Sequence, residues 1–226
     1  MSPKRQMAPT SLLELANQKT DEEFIADYFQ PRSDQTPWLT SWTHPRTNAE
    51  YTISLVRSDV LSDDHLTACF RLIEQSSRKD YENSAGKWDP EQKRKEMRSP
   101  GLRYILVKEK DNMVIRGFTS LMPTYEEGQP VIYCYEIHLQ PELQGTGLGS
   151  LLMGFHSTVA ANLPPITKVM LTCFVANQRG LDFYKKLGFE KDDISPGPRK
   201  LRYGKIFNPD YVIMSKTVSS YIKNSP

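Results

Sequence analysis

The run Leu139-Gln140-Pro141-Glu142-Leu143-Gln144-Gly145-Thr146-Gly147-Leu148-Gly149-Ser150 joins an apolar strand to an apolar helix through three alternating glycines. Val131-Ile132-Tyr133-Cys134-Tyr135-Glu136-Ile137-His138-Leu139 reads as the strand, and Leu148, Leu151, Leu152, Phe155 and Val159 recur along one helix face. The first N–H groups of a helix lack intrahelical acceptors and carry partial positive charge, so the junction is a candidate pyrophosphate cradle. Glycine at 145, 147 and 149 would let phosphate oxygens approach the backbone without meeting a Cβ. The spacing is neither Gly-x-x-x-x-Gly-Lys-Ser/Thr nor Gly-x-Gly-x-x-Gly with an acidic residue about 20 positions on. A glycine-rich turn that merely caps a helix is the alternative.

Downstream of the cradle, Pro164-Pro165 breaks the chain, Lys168 to Val175 reads as a buried strand, Gly180 to Leu187 as a helix stopped by Gly188, and Tyr211 to Lys216 as a last strand. Upstream, Leu102 to Val107 and Met113 to Met122 flank a turn at Lys110-Asp111-Asn112, and Glu126 to Pro130 makes a second turn into the strand of Tyr133. That predicts a three-stranded antiparallel meander. Before it come a strand over Tyr51 to Val56, a helix capped by Ser62, and a short charged helix from Asp89-Pro90-Glu91-Gln92 to about Arg98. Leu12, Leu13, Ala16, Phe24, Ile25, Tyr28 and Phe29 predict amphipathic helix ended by Pro31, and Arg32 to Asn48 reads as a packed loop anchored by Trp38 and Trp42. Strands and helices in this order indicate an α/β (α+β) fold, a mixed twisted sheet flanked by helices. The expected organisation is a helical and loop extension over 1–50 packed on the core, a main domain over 51–218 and a tail over 219–226.

The chain has 226 residues, enough for one folded unit with additions. Its formal charge of +2, from 29 basic and 27 acidic residues, announces neither a nucleic-acid nor a membrane partner. Cys69, Cys134 and Cys173 form no Cys-x-x-Cys pair, and His44, His65, His138 and His156 have no metal-ligand spacing. No metal and no disulfide framework are expected. With no signal-like run behind Met1 to Gln6 and no spanning window, the expectation is a soluble intracellular protein.

Gln144-x-x-Gly147-x-Gly149 resembles the Gln/Arg-x-x-Gly-x-Gly/Ala signature of the GNAT acyltransferases. Ala176-Asn177-Gln178, followed by Phe183-Tyr184-Lys185-Lys186-Leu187-Gly188-Phe189, resembles the segment in which an asparagine and a tyrosine of that family approach the cofactor. The likeness extends from Tyr51 to Lys216. It implies acetyl-CoA as co-substrate, held by Ile137, His138, Leu139, Gln144, Gly145, Thr146, Gly147, Leu148, Gly149, Ser150, Asn177 and Tyr184. Tyr184 would protonate the leaving thiolate; a tyrosine packing on the sheet is its plainer reading. Transfer to an amine needs a base within a hydrogen bond or one water of the nitrogen, and an oxyanion donor, most simply a backbone N–H near Leu139.

Tyr81-Glu82-Asn83-Ser84 with Trp88, the strand Tyr133-Cys134-Tyr135-Glu136, Lys168-Val169-Met170-Leu171-Thr172 and Tyr211-x-Ile213-x-Ser215 resemble the NatD-type N-terminal acetyltransferases. That resemblance implies transfer to the free N-terminal serine of histone H4 and histone H2-A, whose tails would be the partners, in nucleus and cytoplasm. A monomer and ribosome association are the accompanying expectations. Glu136 is then the candidate base, or the residue orienting a water that takes the proton. Tyr81 and Tyr211 join Glu136 and Tyr184 as candidate catalytic groups, and Tyr81, Trp88, Glu126, Tyr133, Tyr135, Glu136 and Tyr211 form the candidate peptide site, with Glu126 attracting a basic side chain. Gly86 and Thr124 stand where animal members carry a tryptophan and an acid. Strict alternation puts Tyr133 and Tyr135 on one face and Glu136 on the other, so a shared site requires a bulged or splayed strand. Acylation of lysine side chains or a small amine, and an inactive coenzyme-bound module that binds histone tails, are the competing functions.

Overall fold

Segments such as Arg103–Glu109, buried along most of their length, are stable only inside a sheet covered on both faces. The computed structural model describes residues 11–30, 35–200, 202–204 and 206–218, without the side chain of residue 203. The helix stop at Pro31, the first ten residues of the extension and the tail over 219–226 lie outside them.

In chain order the elements are α1 (Leu12–Gln18), α2 (Asp21–Tyr28), β1 (Ser41–Thr43), β2 (Glu50–Arg57), α3 (Asp63–Glu82), α4 (Pro90–Glu96), β3 (Arg103–Glu109), β4 (Ile115–Glu126) and β5 (Gln129–Leu139). There follow α5 (Leu148–Asn162), β6 (Lys168–Phe174), α6 (Gln178–Lys186), β7 (Glu190–Lys191), β8 (Arg199–Lys200), β9 (Ile206–Phe207) and β10 (Tyr211–Thr217). Eight strands form one sheet in the order β1-β2-β3-β4-β5-β6-β10-β7, and β8 pairs with β9 separately. Of the neighbours in the large sheet, β5 and β6 run parallel, with α5 as the connection between them.

One core joins α1, α2, α5 and α6 to a face of the sheet through residues such as Phe24, Phe155 and Leu181. The other lies under α3, where Cys69, Phe70 and Ile73 meet Tyr104 and Phe118. The expected caps are present: Ser62 Oγ accepts from the His65 N–H at 3.2 Å, and Asp89 Oδ1 from the Gln92 N–H at 2.9 Å.

Local geometry departs from the sequence reading at several points. The first helical stretch is two helices, each opened by a reciprocal box, Ser11 with Glu14 and Thr20 with Glu23. Trp38 packs between Phe29 and Phe155, as a loop anchor should, but Trp42 sits in β1, an edge strand paired with β2. The second turn is tighter than Glu126 to Pro130. Glu126 already pairs with Gln129, and only Glu127 (φ 47°) and Gly128 (φ 78°) turn the chain, the left-handed pair of a two-residue hairpin. Strands β7, β8 and β9 are too short to carry a period-two signal.

Candidate active site

Two backbone devices build the site. At the end of β5 the chain passes through a single 3-10 turn, Pro141–Leu143, and enters α5 through Gly145 (φ 70°) and Gly147 (φ 90°). Those left-handed values, not lack of room, require glycine, because a Cβ at either position would meet nothing within 4 Å. Gly149 has a different duty. A Cβ there would stand 3.2 Å from Phe183 Cζ, so this glycine lets α6 approach α5. Among the described residues the N–H groups of Gly145, Thr146, Gly147, Gly149 and Ser150 find no protein acceptor, which leaves a cluster of donors suited to an anion.

The side chains of three residues expected at the cofactor also shape the loop. Gln144 Nε2 donates to the Leu139 carbonyl at 2.9 Å, and Thr146 Oγ1 donates to the Leu143 carbonyl at 2.6 Å. Leu148 is fully buried in the core. These side-chain bonds hold the loop in place and leave its backbone N–H groups facing outward.

The second device is a bulge. Ser120 pairs with Glu136 but Leu121 pairs with Cys134, so Tyr135 is an extra residue in β5. It shifts the phase of the strand. Cys134 points into the core under α5, whereas Tyr135 and Glu136 both face α3 and α4. Pairing between β5 and β6 is confined to Ile132, Tyr133 and Cys134, and the strands part beyond that point. Leu139 turns its carbonyl, and with it its N–H, to the open edge.

The parted strands separate two cavities. One, of about 580 Å³, is lined by the cradle glycines, Ser76, Gln144, Ser150 and Asn177. The other, of about 620 Å³, is lined by Tyr81, Trp88, Glu126, Tyr133, Tyr135, Glu136 and Tyr211. Ile137, His138, Asn177 and Tyr184 line both, so the cavities meet there. All the expected peptide-site residues thus share one wall system. Gly86 lines it too; Thr124, opposite Val131 in the hairpin, lies outside the lining set.

Glu136 is the buried charge of the second cavity. Lys93 Nζ lies 3.1 Å from its Oε1 and His138 Nε2 lies 2.5 Å from its Oε2. Burial pushes its pKa up, but the hydrogen bond and charge from His138 and the Lys93 cation outweigh that and hold it below the ordinary carboxylate value. Lys93 loses by desolvation, yet Glu136, Tyr81 and Glu96 raise its pKa, so it stays an ammonium. Tyr81, beside Trp88 and Phe174, is pushed up to about 12 by burial and then by Glu136. Burial also raises Tyr184 well above its usual value, so its phenol keeps its proton.

Tyr184 packs on Phe183 and Phe189, as its plainer reading has it, and also lines the junction of the two cavities. Tyr133 stacks 5.0 Å from Tyr135 and shares a 2.6 Å hydrogen bond with Thr172. Lys93 and Ser76 were not legible as site residues. Lys93 sits in a charge run that reads as a solvated helix face, yet only 6% of it is exposed. The spacing Glu136-x-His138 was the usable signal, since residues two apart share a strand face.

The description of the acetyltransferase (GNAT) family matches residues 63–189. The chain belongs to the GNAT family. Its curated relative N-alpha-acetyltransferase 40 of Saccharomyces cerevisiae is 32% identical across 60% of this chain, which spans 55% of that relative's length. Among solved structures, the ribosomal-protein-S18-alanine N-acetyltransferase of Escherichia coli superposes with a TM-score of 0.51 at 16% identity, over 78% of this chain and 99% of its own. NAA60 of Arabidopsis thaliana, in complex with a bisubstrate analogue, gives 0.50 at 13% identity over 75% and 100%. These two establish the fold alone, a GNAT sheet flanked by helices.

Proposed function

We propose that the chain is an N-alpha-acetyltransferase that moves acetyl from acetyl-CoA to the free N-terminal serine of histone H4 and histone H2-A, in nucleus and cytoplasm. The observation that carries it is the meeting of the anion cradle and the tyrosine-lined cavity at Ile137, His138 and Tyr184. Likeness to N-alpha-acetyltransferase 40 supports the α-amine as acceptor. The half-buried Glu126 at the cavity wall suits a basic side chain of the incoming tail.

Acetyl-CoA brings the activated thioester; the free amides from Gly145 to Ser150 fit its pyrophosphate. Tyr133, Tyr135, Tyr81 and Tyr211 enclose the first residues of the tail, with Trp88 behind them. The Leu139 N–H at the open strand edge points toward the developing oxyanion. Glu136, a carboxylate at neutral pH, attracts the ammonium and orients the water through which it sheds a proton. An α-amine, with pKa near ~8 against ~10.4 for lysine, needs little help to become neutral. Tyr184 supplies a proton to the departing sulfur.

A peptide panel tests the reading. Unblocked Ser-Gly-Arg-Gly peptides should turn over, and peptides with blocked α-amines and free lysines should not. Robust turnover of the latter gives lysine acylation; no transfer to any peptide gives a binding module.

A further inference from the structure

A carboxylate held below its ordinary range is a poor resting place for a proton, and each acylated amine releases one beside Glu136. His138 lies behind it. Its Nε2 is 2.5 Å from Glu136 Oε2, its Nδ1 is 2.6 Å from Ser76 Oγ, and that hydroxyl is also 2.7 Å from the Leu72 carbonyl. A hydroxyl carries one hydrogen. Turned toward Nδ1, it makes His138 a neutral ring whose Nε2–H donates to Glu136. Turned toward Leu72, it leaves a lone pair for an Nδ1–H, and the ring is then an imidazolium facing a carboxylate. The same heavy-atom positions therefore accept two proton counts.

We infer that His138 Nδ1 is the seat of the proton shed by the acceptor amine, loaded through the Ser76 hydroxyl. The inference rests on the amine-acylation reading. Ser76 is exposed along the cradle cavity, where water reaches it, and His138 is buried where the cavities meet. As the N–C bond forms, the nitrogen's surplus proton passes to water and then to Ser76 Oγ, whose own hydrogen moves to Nδ1. As the C–S bond breaks, the sulfur takes the Tyr184 proton. Solvent then restores Tyr184 and collects the proton from His138.

The surroundings leave the imidazole as the switching group. Tyr81 from α3, Tyr104 from β3, Cys134 from β5 and Tyr184 from α6 are raised by burial and stay neutral. Lys93 from α4 stays a cation beside Glu96, Glu136 stays an anion, and Phe118 from β4 covers the ring. The Ser76 hydroxyl, which accommodates either proton count at Nδ1, sets the imidazole apart from these groups.

The test combines kcat–pH profiles with 15N NMR of the histidine-labelled chain. His138→Gln keeps a donor for Glu136 without a titrating nitrogen. It should lower kcat by about 100-fold or more with KM values nearly unchanged, and should abolish the acid limb of the wild-type profile. His138 Nδ1 should become protonated with the midpoint of that limb, and Ser76→Ala should shift both together. An unchanged limb in His138→Gln, or an Nδ1 that stays unprotonated across the acid limb in a chain that acylates peptides, overturns the relay alone. An Nδ1 that titrates in a chain that acylates no amine overturns the function and leaves the relay without its proton source.

Discussion

Lys93 Nζ and Glu136 Oε1 lie 3.1 Å apart with side chains only 7% and 10% exposed, so the cavity holds a sealed ion pair. Removing Lys93 leaves the buried carboxylate with His138 as its remaining partner and no permanent cation beside it. Lys93→Met should lower folding stability by roughly 3–5 kcal/mol in urea titrations. The pH dependence has a defined sign. The folded pKa of Glu136 is depressed, so the pair's contribution is complete above the unfolded carboxylate pKa and fades as pH falls through the folded value. Wild type and Lys93→Met should therefore converge in acid.

Glu136→Gln keeps the volume and loses the charge that orients the proton path. Turnover on unblocked peptides should fall about 100-fold or more, while calorimetry should find coenzyme binding within about twofold of wild type. Equal turnover would remove Glu136 from the chemistry.

Gly147→Ala places a Cβ on a residue with φ 90°, at a strain of roughly 1–2 kcal/mol, and should weaken coenzyme affinity about tenfold or more. Gly197, with ordinary φ and open space, is the control, and Gly197→Ala should bind like wild type. Equal weakening in both would detach the left-handed turn from binding.

His156 is fully buried, its Nδ1 3.0 Å from the Leu152 carbonyl, and burial lowers its pKa to about 4. Unfolding lets it take up a proton. Its folded value is depressed, so wild-type stability is complete above the unfolded histidine pKa near ~6.5 and declines below it, by up to about 3 kcal/mol toward pH 4. His156→Gln should flatten that part of the curve in chemical denaturation, and an unchanged slope would assign it elsewhere.

Arg103 has no exposed surface, pairs with Asp21 at the start of α2 and stacks over Phe24. Asp21→Asn strands that guanidinium. It should cost roughly 3–5 kcal/mol and open α2 to limited proteolysis before the sheet yields.

The cradle, the meander and the caps at Ser62 and Asp89 were legible because each depends on neighbours in sequence. The site was legible in its residue types and not in its wiring. Lys93 and Glu136 are 43 positions apart, and no local pattern distinguishes a lysine that folds inward from its solvated neighbours on the same helix. A bulged or splayed strand was the stated condition for a shared site, but the place of the extra residue was not legible, for a related reason. Nothing in Tyr133-Cys134-Tyr135-Glu136 marks which residue lacks a partner; that depends on the register of β4.

The extra residue in β5 also sets the kind of change that can rewire this protein. A substitution at Tyr135 alters a wall, whereas its deletion would close the bulge and make Glu136 the direct neighbour of Cys134, in strict alternation and still on the α3 and α4 face, so the carboxylate would keep its side of the sheet and lose the tyrosine beside it.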